Sequence, residues 1–184
     1  MMLKVVFVTT LNAIRDKRPD KDEWNTLLAY LGKTTADDEP INLLTILESN
    51  GALFTLWALR AVEKHPEGDR VMRLMAADFA EIVLPDHENK CPGDDRPRKA
   101  IKAARDFANG KITEKERAVA GKEAGDAAWT TTSPAAGSAA WAASGDAVSP
   151  PGLPAAAYAA WVAAGDAAGD VYVKIIREYL TIDA

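Results

Sequence analysis

Reactive side chains are scarce in this chain. One cysteine, Cys91, and two histidines, His65 and His87, are its whole stock of thiol and imidazole. A single cysteine excludes an internal disulfide and suits a reducing cytoplasm. Zinc takes about four ligands, commonly in paired short spacings. His87 and Cys91, four residues apart, make half of such a set, and no second pair follows, so neither a metal nor any other cofactor is expected. The same two residues are the sole Cys–His candidates for a nucleophile and its base. Ser138, in AGSAA, lacks the flanking glycines of a nucleophile elbow, and there is no Gly-rich phosphate loop. The chain is therefore expected not to be an enzyme.

Long apolar runs are missing as well. No stretch reaches the ~18 residues of a membrane span. The apolar run in the N-terminal MMLKVVFVTT is too short for a signal segment with a cleavage site, and Arg15 to Arg18 follow it closely. The tail has too few cations for a membrane-surface helix. Across the chain, 22 Lys and Arg face 27 Asp and Glu, a net charge of −5. Nucleic acid demands clustered cations, so no direct nucleic-acid partner is expected. An acidic chain suits a protein partner with a basic surface, met in the cytoplasm.

What the chain does have is helical periodicity, with bulky apolar residues before residue 110 and alanine after it. Leu3 to Val8 is compatible with a short strand or with the start of a helix. Asp22 is placed to cap a helix through WNTLLAYL, with Trp24, Leu27, Leu28 and Leu31 on one face and Gly32 at its end. Asp37 to Glu39 put negative charge at the start of a short helix with Pro40 in its first turn, which stops at Asn50-Gly51. A third helix covers Ala52 to Lys64 and is closed by His65-Pro66. Asp69 caps a longer helix through RVMRLMAADFAEIVL, and Pro85 to Gly93 read as a polar loop. Asp94 or Asp95 caps RPRKAIKAARDFA, with Pro97 in the first turn. Thr113 and Glu116 form a capping box that opens a helix from Glu114 to about Trp129.

The last third carries a repeat. PAAGSAAWAASGDA, Pro134 to Ala147, matches PAAAYAAWVAAGDA, Pro154 to Ala167, at ten of fourteen positions. Gly-Asp pairs recur at Gly125-Asp126, Gly145-Asp146 and Gly165-Asp166. A fixed period of this kind marks stacked helical units. Alanine is the strongest helix former and supplies 19 of the 45 residues from Ala124 to Ala168. Pro134, Pro150, Pro151 and Pro154 break the run, so the expectation is helices near 134–147 and 154–180. Trp141 and Trp161 would add the bulk that alanine lacks, and VYVKIIREYLTI would dock on the core.

Most acidic pairs sit where helix caps are expected, and capping explains them more simply than catalysis does. The densest polar motif runs through Asp94, Asp95, Arg96, Arg98 and Lys99: a capped helix start, or the edge of a binding surface. The tryptophans (Trp24, Trp57, Trp129, Trp141, Trp161) are most simply core. Trp129 is the candidate for an exposed anchor, because it adjoins the unusual TTTSP stretch and tryptophan is favoured at interface hot spots. With Asp37, Asp38, Glu39, Asp94, Asp95, Arg96 and Arg98 it completes the set of candidate protein-contact residues.

The span from His65 to Thr113, with DDRPRKAIKAAR (Asp94 to Arg105) and FANGKIT (Phe107 to Thr113) at its centre, followed by AGDAAW-like repeats, resembles a family of all-helical proteins described as immunity proteins of bacteria and their phages. GKTTADDEPINLLTILESNG, Gly32 to Gly51, is similar to an element that precedes such domains in phage-encoded proteins. The resemblance implies a protein that binds and blocks a toxin. The inserted prolines and Thr130 to Ser133 depart from the simpler Ala-Ala-Trp repeats of that family.

The sequence thus predicts an all-α fold, a helical array with a C-terminal Ala-rich helical repeat. Its helical core would span 1–112, with an N-terminal element over 1–50 and immunity-like helices over 51–112, and the repeat would span 113–184. The function expected is that of a phage- or mobile-element-encoded inhibitor of a toxin or of a host defence complex, anti-CRISPR-like in the second case. The alternatives are a helical repeat protein that self-associates into a homo-oligomer and, behind it, a metalloenzyme built on His87 and Cys91.

Overall fold

The computed structural model describes residues 7–63, 66–131, 133–143 and 169–181. Among them the fold is all-α, apart from one minimal two-stranded pairing. Strand β1 (Val8–Thr9) lies antiparallel to β2 (Ile41–Asn42), with Val8 opposite Asn42 and Thr9 opposite Ile41. Of Leu3 to Val8, which the sequence leaves open between strand and helix, residues 3–6 lie outside the described residues, and Val8 is strand.

The β pairing corrects one helix start. The short helix expected from Pro40 begins instead at Leu43, because Ile41 and Asn42 are engaged with β1. The Asn42 side chain then caps it, accepting from the Leu44 N–H at 2.8 Å. Helix α1 (Leu11–Asp16) is capped by Thr10. Helix α2 (Lys21–Tyr30) starts ahead of expectation, because Asp20 rather than Asp22 accepts from the first free N–H groups, those of Asp22 and Glu23. Helix α3 (Leu43–Ala58) bends at Gly51, whose φ of +78° is a left-handed conformation open to glycine at little cost. The expected stop at Asn50-Gly51 is thus a kink. A 3-10 turn over Leu59–Ala61 follows, well short of Lys64.

Helix α4 (Pro66–Lys90) is the longest element among the described residues and continues through Pro85. The polar loop expected from Pro85 to Gly93 is mostly its last turns. A mid-helix proline costs about 3 kcal/mol. Burying Val83 and Leu84 on the core side offsets that cost, since each such apolar side chain is worth about 1.5–3 kcal/mol. Helix α5 (Arg96–Ala108) and helix α6 (Glu114–Thr131) follow. The capping box is formed as read from sequence: the Thr113 N–H donates to Glu116 at 2.8 Å and the Glu116 N–H to the Thr113 hydroxyl at 3.3 Å. Helix α7 (Pro134–Ala142) is capped by Ser133, and helix α8 (Gly169–Thr181) comes last.

Helix α5 packs on α4, α6 and α7, helix α7 packs also on α4 and α6, and α8 lies against α4 and α3. The expected docking of the last helix is seen in its buried stripe of Tyr172, Ile176 and Leu180, four residues apart each time. Tyr172 stacks on Phe79 of α4 with ring centroids 4.9 Å apart. Beside this contact an ion cluster ties three helices: Asp78 of α4 accepts from Arg105 of α5 at 2.6 Å and from the Tyr179 hydroxyl of α8 at 2.5 Å. Burial opposes the charge on Arg105, yet the hydrogen bonds to Glu81 and Asp78 outweigh it and hold its pKa above the ordinary value. The second repeat, Pro154 to Ala167, and Trp161 with it, lie outside the described residues.

Candidate protein-binding surface

The alanine-rich part of the chain makes a tight helical hairpin of α6 and α7. Its register is set by small residues. A Cβ placed on Gly121 would lie 2.9 Å from the Ala143 carbonyl oxygen, so only glycine permits this approach. Gly125 faces Ala140, and Gly137 faces Ala128, at ordinary contact distance. One face of α6, with Arg117, Ala124 and Ala127, is buried. On another side the hairpin carries an open groove of about 760 Å³, lined by Gly121, Gly125, Ala128, Gly137 and Ala140 together with Trp129 and Trp141.

The two tryptophans settle differently from a core expectation. Trp129 is 88% exposed and Trp141 40% exposed, whereas Trp24 and Trp57 pack half-buried against the core. The reason lies in helical phase. Trp129 shares its face of α6 with Lys122 and Gly125, on the side away from Ala124 and Ala127. Trp141 lines the groove rather than filling the interior.

Beneath the hairpin sits a cluster that the sequence reading missed. Arg117 is buried; it donates to the Ala143 carbonyl at the end of α7 and lies 5.0 Å above the Phe107 ring. Arg73 of α4 lies 5.1 Å from the same ring and donates to the Ala142 carbonyl at 3.4 Å. Two guanidiniums thus meet the free carbonyls at the C-terminus of α7, where the helix dipole favours positive charge. Burial lowers the Arg117 pKa, only partly countered by the exposed carboxylate of Glu114 at 3.6 Å. The only advance signal was an arginine on the alanine-rich face of α6, and sequence alone offered it no partner.

The corner around Asp94 is built next to this hairpin. Asp94 accepts from Arg96 in a bidentate pair, at 2.8 Å from Nε and 2.7 Å from Nη2. Asp95 occupies the N-cap position of α5 without a side-chain cap bond, and instead pairs with Lys99 at 3.0 Å. Arg98 makes a second bidentate pair, with Glu88, at 2.7 and 2.8 Å. The charge of Arg96 is further stabilised by Asp126 and Glu123 of α6, which places this corner beside the Trp129 helix. His87 is fully buried between the two: its Nδ1 is 3.1 Å from the Ser133 hydroxyl and its Nε2 3.6 Å from Asp94. The Ser133 contact ties α4 to the start of α7, while Nε2 makes no hydrogen bond among the described residues. Cys91 is half-exposed, and among the described residues no three His, Cys, Asp or Glu side chains converge as a metal site.

Arg96 holds the Asp94 carboxyl at a pKa of about 2, below its ordinary 3.8, through their hydrogen bonds. A depressed carboxyl stabilises the fold above the unfolded value, and that contribution fades as pH falls from about 4 toward 2. Allowing for the partly exposed partner, it amounts to about 1–2 kcal/mol. Urea unfolding of Asp94→Asn beside the native chain checks it. The stability gap is expected to be full at neutral pH and to close toward pH 2; a gap independent of pH would refute the assignment.

The acidic trio has another setting. Asp37 and Glu39 both accept from Lys33, at 2.7 and 2.6 Å, and Asp38 accepts from the Asn12 amide at 2.8 Å. The hydrogen bond from Lys33 keeps the Asp37 carboxyl below the ordinary carboxylate range. These residues fasten the segment before β2 to α1, whose Asn12 N–H donates to the Asp37 carbonyl at 3.0 Å. The structure therefore puts Asp94 and Arg96 near the α6 residues Glu123 and Asp126, on the helix that carries Trp129, and holds Asp37, Asp38 and Glu39 in another setting. Among the described residues no helix is long and apolar enough to cross a membrane.

Comparison with known proteins places this architecture. Neither the curated proteins nor the solved structures gave a significant match. The family described as Imm-5 like putative immunity protein matches residues 57–180. That span runs from the end of α3 to the last turn of α8 and so takes in the α4–α7 packing, the Asp94 corner and the Trp129 hairpin. The chain belongs to the family of Imm-5 like immunity proteins.

Proposed function

We propose that this protein is a non-catalytic inhibitor that binds a protein toxin and blocks it, encoded by a phage or another mobile element and acting in the bacterial cytoplasm. The family match over 57–180 carries this reading and favours a toxin over a host defence complex. Two further features support it. A net charge of −5 suits a basic partner, and charge of opposite sign steers association. Trp129 offers a large exposed aromatic of the kind that dominates binding energy in interfaces. In this reading Asp94, Asp95, Arg96 and Arg98 flank the Trp129 contact, and Asp37, Asp38 and Glu39 add to the steering field.

The test is capture by the tagged full chain at low and high salt, then co-expression of the captured protein with and without the chain. Growth arrest by the captured protein, relieved by the chain, is the expected result. A captured protein whose toxicity the chain leaves unchanged overturns the proposal. Asp38→Lys with Glu39→Lys is expected to slow association several-fold at low salt and to flatten the salt dependence. An unchanged salt slope removes the acidic trio from the steering surface.

A further inference from the structure

Arg117 is a buried guanidinium whose carboxylate-binding edge is unfilled, and it stands at one end of the groove on the α6–α7 hairpin. Its Nη1 is spent on the Ala143 carbonyl. The edge made by Nε and Nη2 has only a long contact. Nε has no hydrogen-bond partner among the described residues, and Nη2 is 3.6 Å from the Glu114 carboxylate. Arg96 and Arg98 show what this edge takes when a partner is at hand. Each uses Nε and Nη2 together to hold one carboxylate, of Asp94 and Glu88 respectively, at 2.7 or 2.8 Å. Such a bidentate pair is the strong and geometry-specific form of the contact. Glu114 does not supply it, because its side chain is 77% exposed. We propose that a ligand does, and that the ligand is a long-chain carboxylate lying in the groove.

The rest of the groove selects the body of that ligand. Along α6, Ala118, Gly121, Gly125 and Ala128 recur at spacings of three and four, which makes them one strip. Arg117 stands at its start and Trp129 at its end. At 1.5 Å per residue the strip is about 18 Å long, enough for an extended dodecyl chain. Small side chains leave room for it: the groove holds about 760 Å³. Small-molecule sites have this size and are mostly apolar, with a few polar groups that set orientation. Trp141 of α7 adds a flat apolar wall. Past Ala118 the single charged lining residue is Lys122, and Asp126 already holds it at 2.8 Å. The unmet demand for charge is therefore at the Arg117 end.

The head group follows from that demand. A cation would meet the guanidinium with like charge, and a purely apolar end would leave the buried Nε unpaired, which is costly. A carboxylate takes the place that Glu114 fills poorly, by displacing an exposed and movable side chain. Binding of such an acid is independent of the toxin reading. Because Trp129 serves both, a bound acid would compete with a toxin seated there.

The test is titration of the full-length protein with dodecanoate, below the concentration at which it forms micelles, followed by tryptophan fluorescence and calorimetry. Saturable binding of one molecule per chain is expected. Acetate, the head without the chain, and dodecyltrimethylammonium, the chain with the opposite head, should bind far more weakly. Arg117→Met should weaken dodecanoate by about 10-fold or more, the loss of a charge-assisted pair. Glu114→Gln should tighten it several-fold, by removing the competing carboxylate. Ala118→Phe should abolish it by filling the strip beside Arg117. Glu114 and Ala118 are exposed, so their variants keep the fold, which circular dichroism confirms. Any one of five results would overturn the proposal: no saturation by dodecanoate, equal binding of dodecyltrimethylammonium, native affinity in Arg117→Met, no tightening in Glu114→Gln, or binding that survives Ala118→Phe. The first of these would leave the groove to a segment of the toxin.

Discussion

Phe79→Ala is expected to lower the unfolding free energy by about 3–5 kcal/mol, the range for truncating a fully buried aromatic. Phe79 has no exposed surface and stacks on Tyr172, itself fully buried, at 4.9 Å. The loss therefore falls on the joint between α4 and α8. Alanine would remove the ring, leave a cavity under the last helix and take away the planar partner of Tyr172. Burial holds the Tyr172 phenol up at about 12, so it remains neutral and packed at any physiological pH. Urea denaturation should show a lower midpoint, and near-ultraviolet circular dichroism should show the loss of the tyrosine environment. A change below about 1 kcal/mol would mean that α8 contributes little to the core, against the burial of Tyr172, Ile176 and Leu180.

Arg117 should separate volume from charge. Arg117→Ala is expected to cost about 3 kcal/mol. It would empty the space above Phe107 and strip the buried Ala143 carbonyl of its donor. Arg117→Met is expected to recover most of that and to lie within about 1 kcal/mol of the native chain. It fills a similar volume and relieves a buried cation whose pKa burial already pushes down. Unfolding of the two variants side by side decides the matter. If methionine is as damaging as alanine, the hydrogen bond at the end of α7 outweighs packing, and the guanidinium is what holds the hairpin.

These two sites also show where sequence reading reached and where it stopped. The stripe of the last helix was legible because bulky residues recur at four-residue spacing in an otherwise alanine-rich tail. That Tyr172 would meet Phe79 was not legible, since the two are far apart in the chain and nothing local couples them. Arg117 was opaque for a different reason. A lone arginine on a surface-like helix looks solvated until α7 folds back and offers it carbonyls.

Caps show the same division. Thr113 with Glu116 is a closed local exchange of hydrogen bonds, so it forms as written. Asp22 lost to Asp20 because both are cap residues, and only the path of the chain out of Pro19 chooses between them. Pro85 was read as a stop because proline removes a backbone donor. The helix continues because burial of Val83 and Leu84 in the same turn outweighs the missing bond.

Among the candidate contacts, exposure of Trp129 was foreshadowed by its place beside TTTSP. That its helix would run beside Arg96 was not, because only the α5–α6 packing brings Asp126 and Glu123 near that residue.

The sequence by itself determined the all-helical class, the starts of α5, α6 and α7, the acidic balance and the kinship with immunity proteins. Each of those depends on composition, on spacing within a few residues, or on motifs carried whole in the chain. Tertiary structure decided which faces are buried, which tryptophans face solvent, and which ions pair across helices. Those outcomes turn on the close approach of α6 and α7 at Gly121 and on the phase at which each helix meets its neighbours. Local propensity carries no information about either, because both are set by contacts between residues distant in the chain.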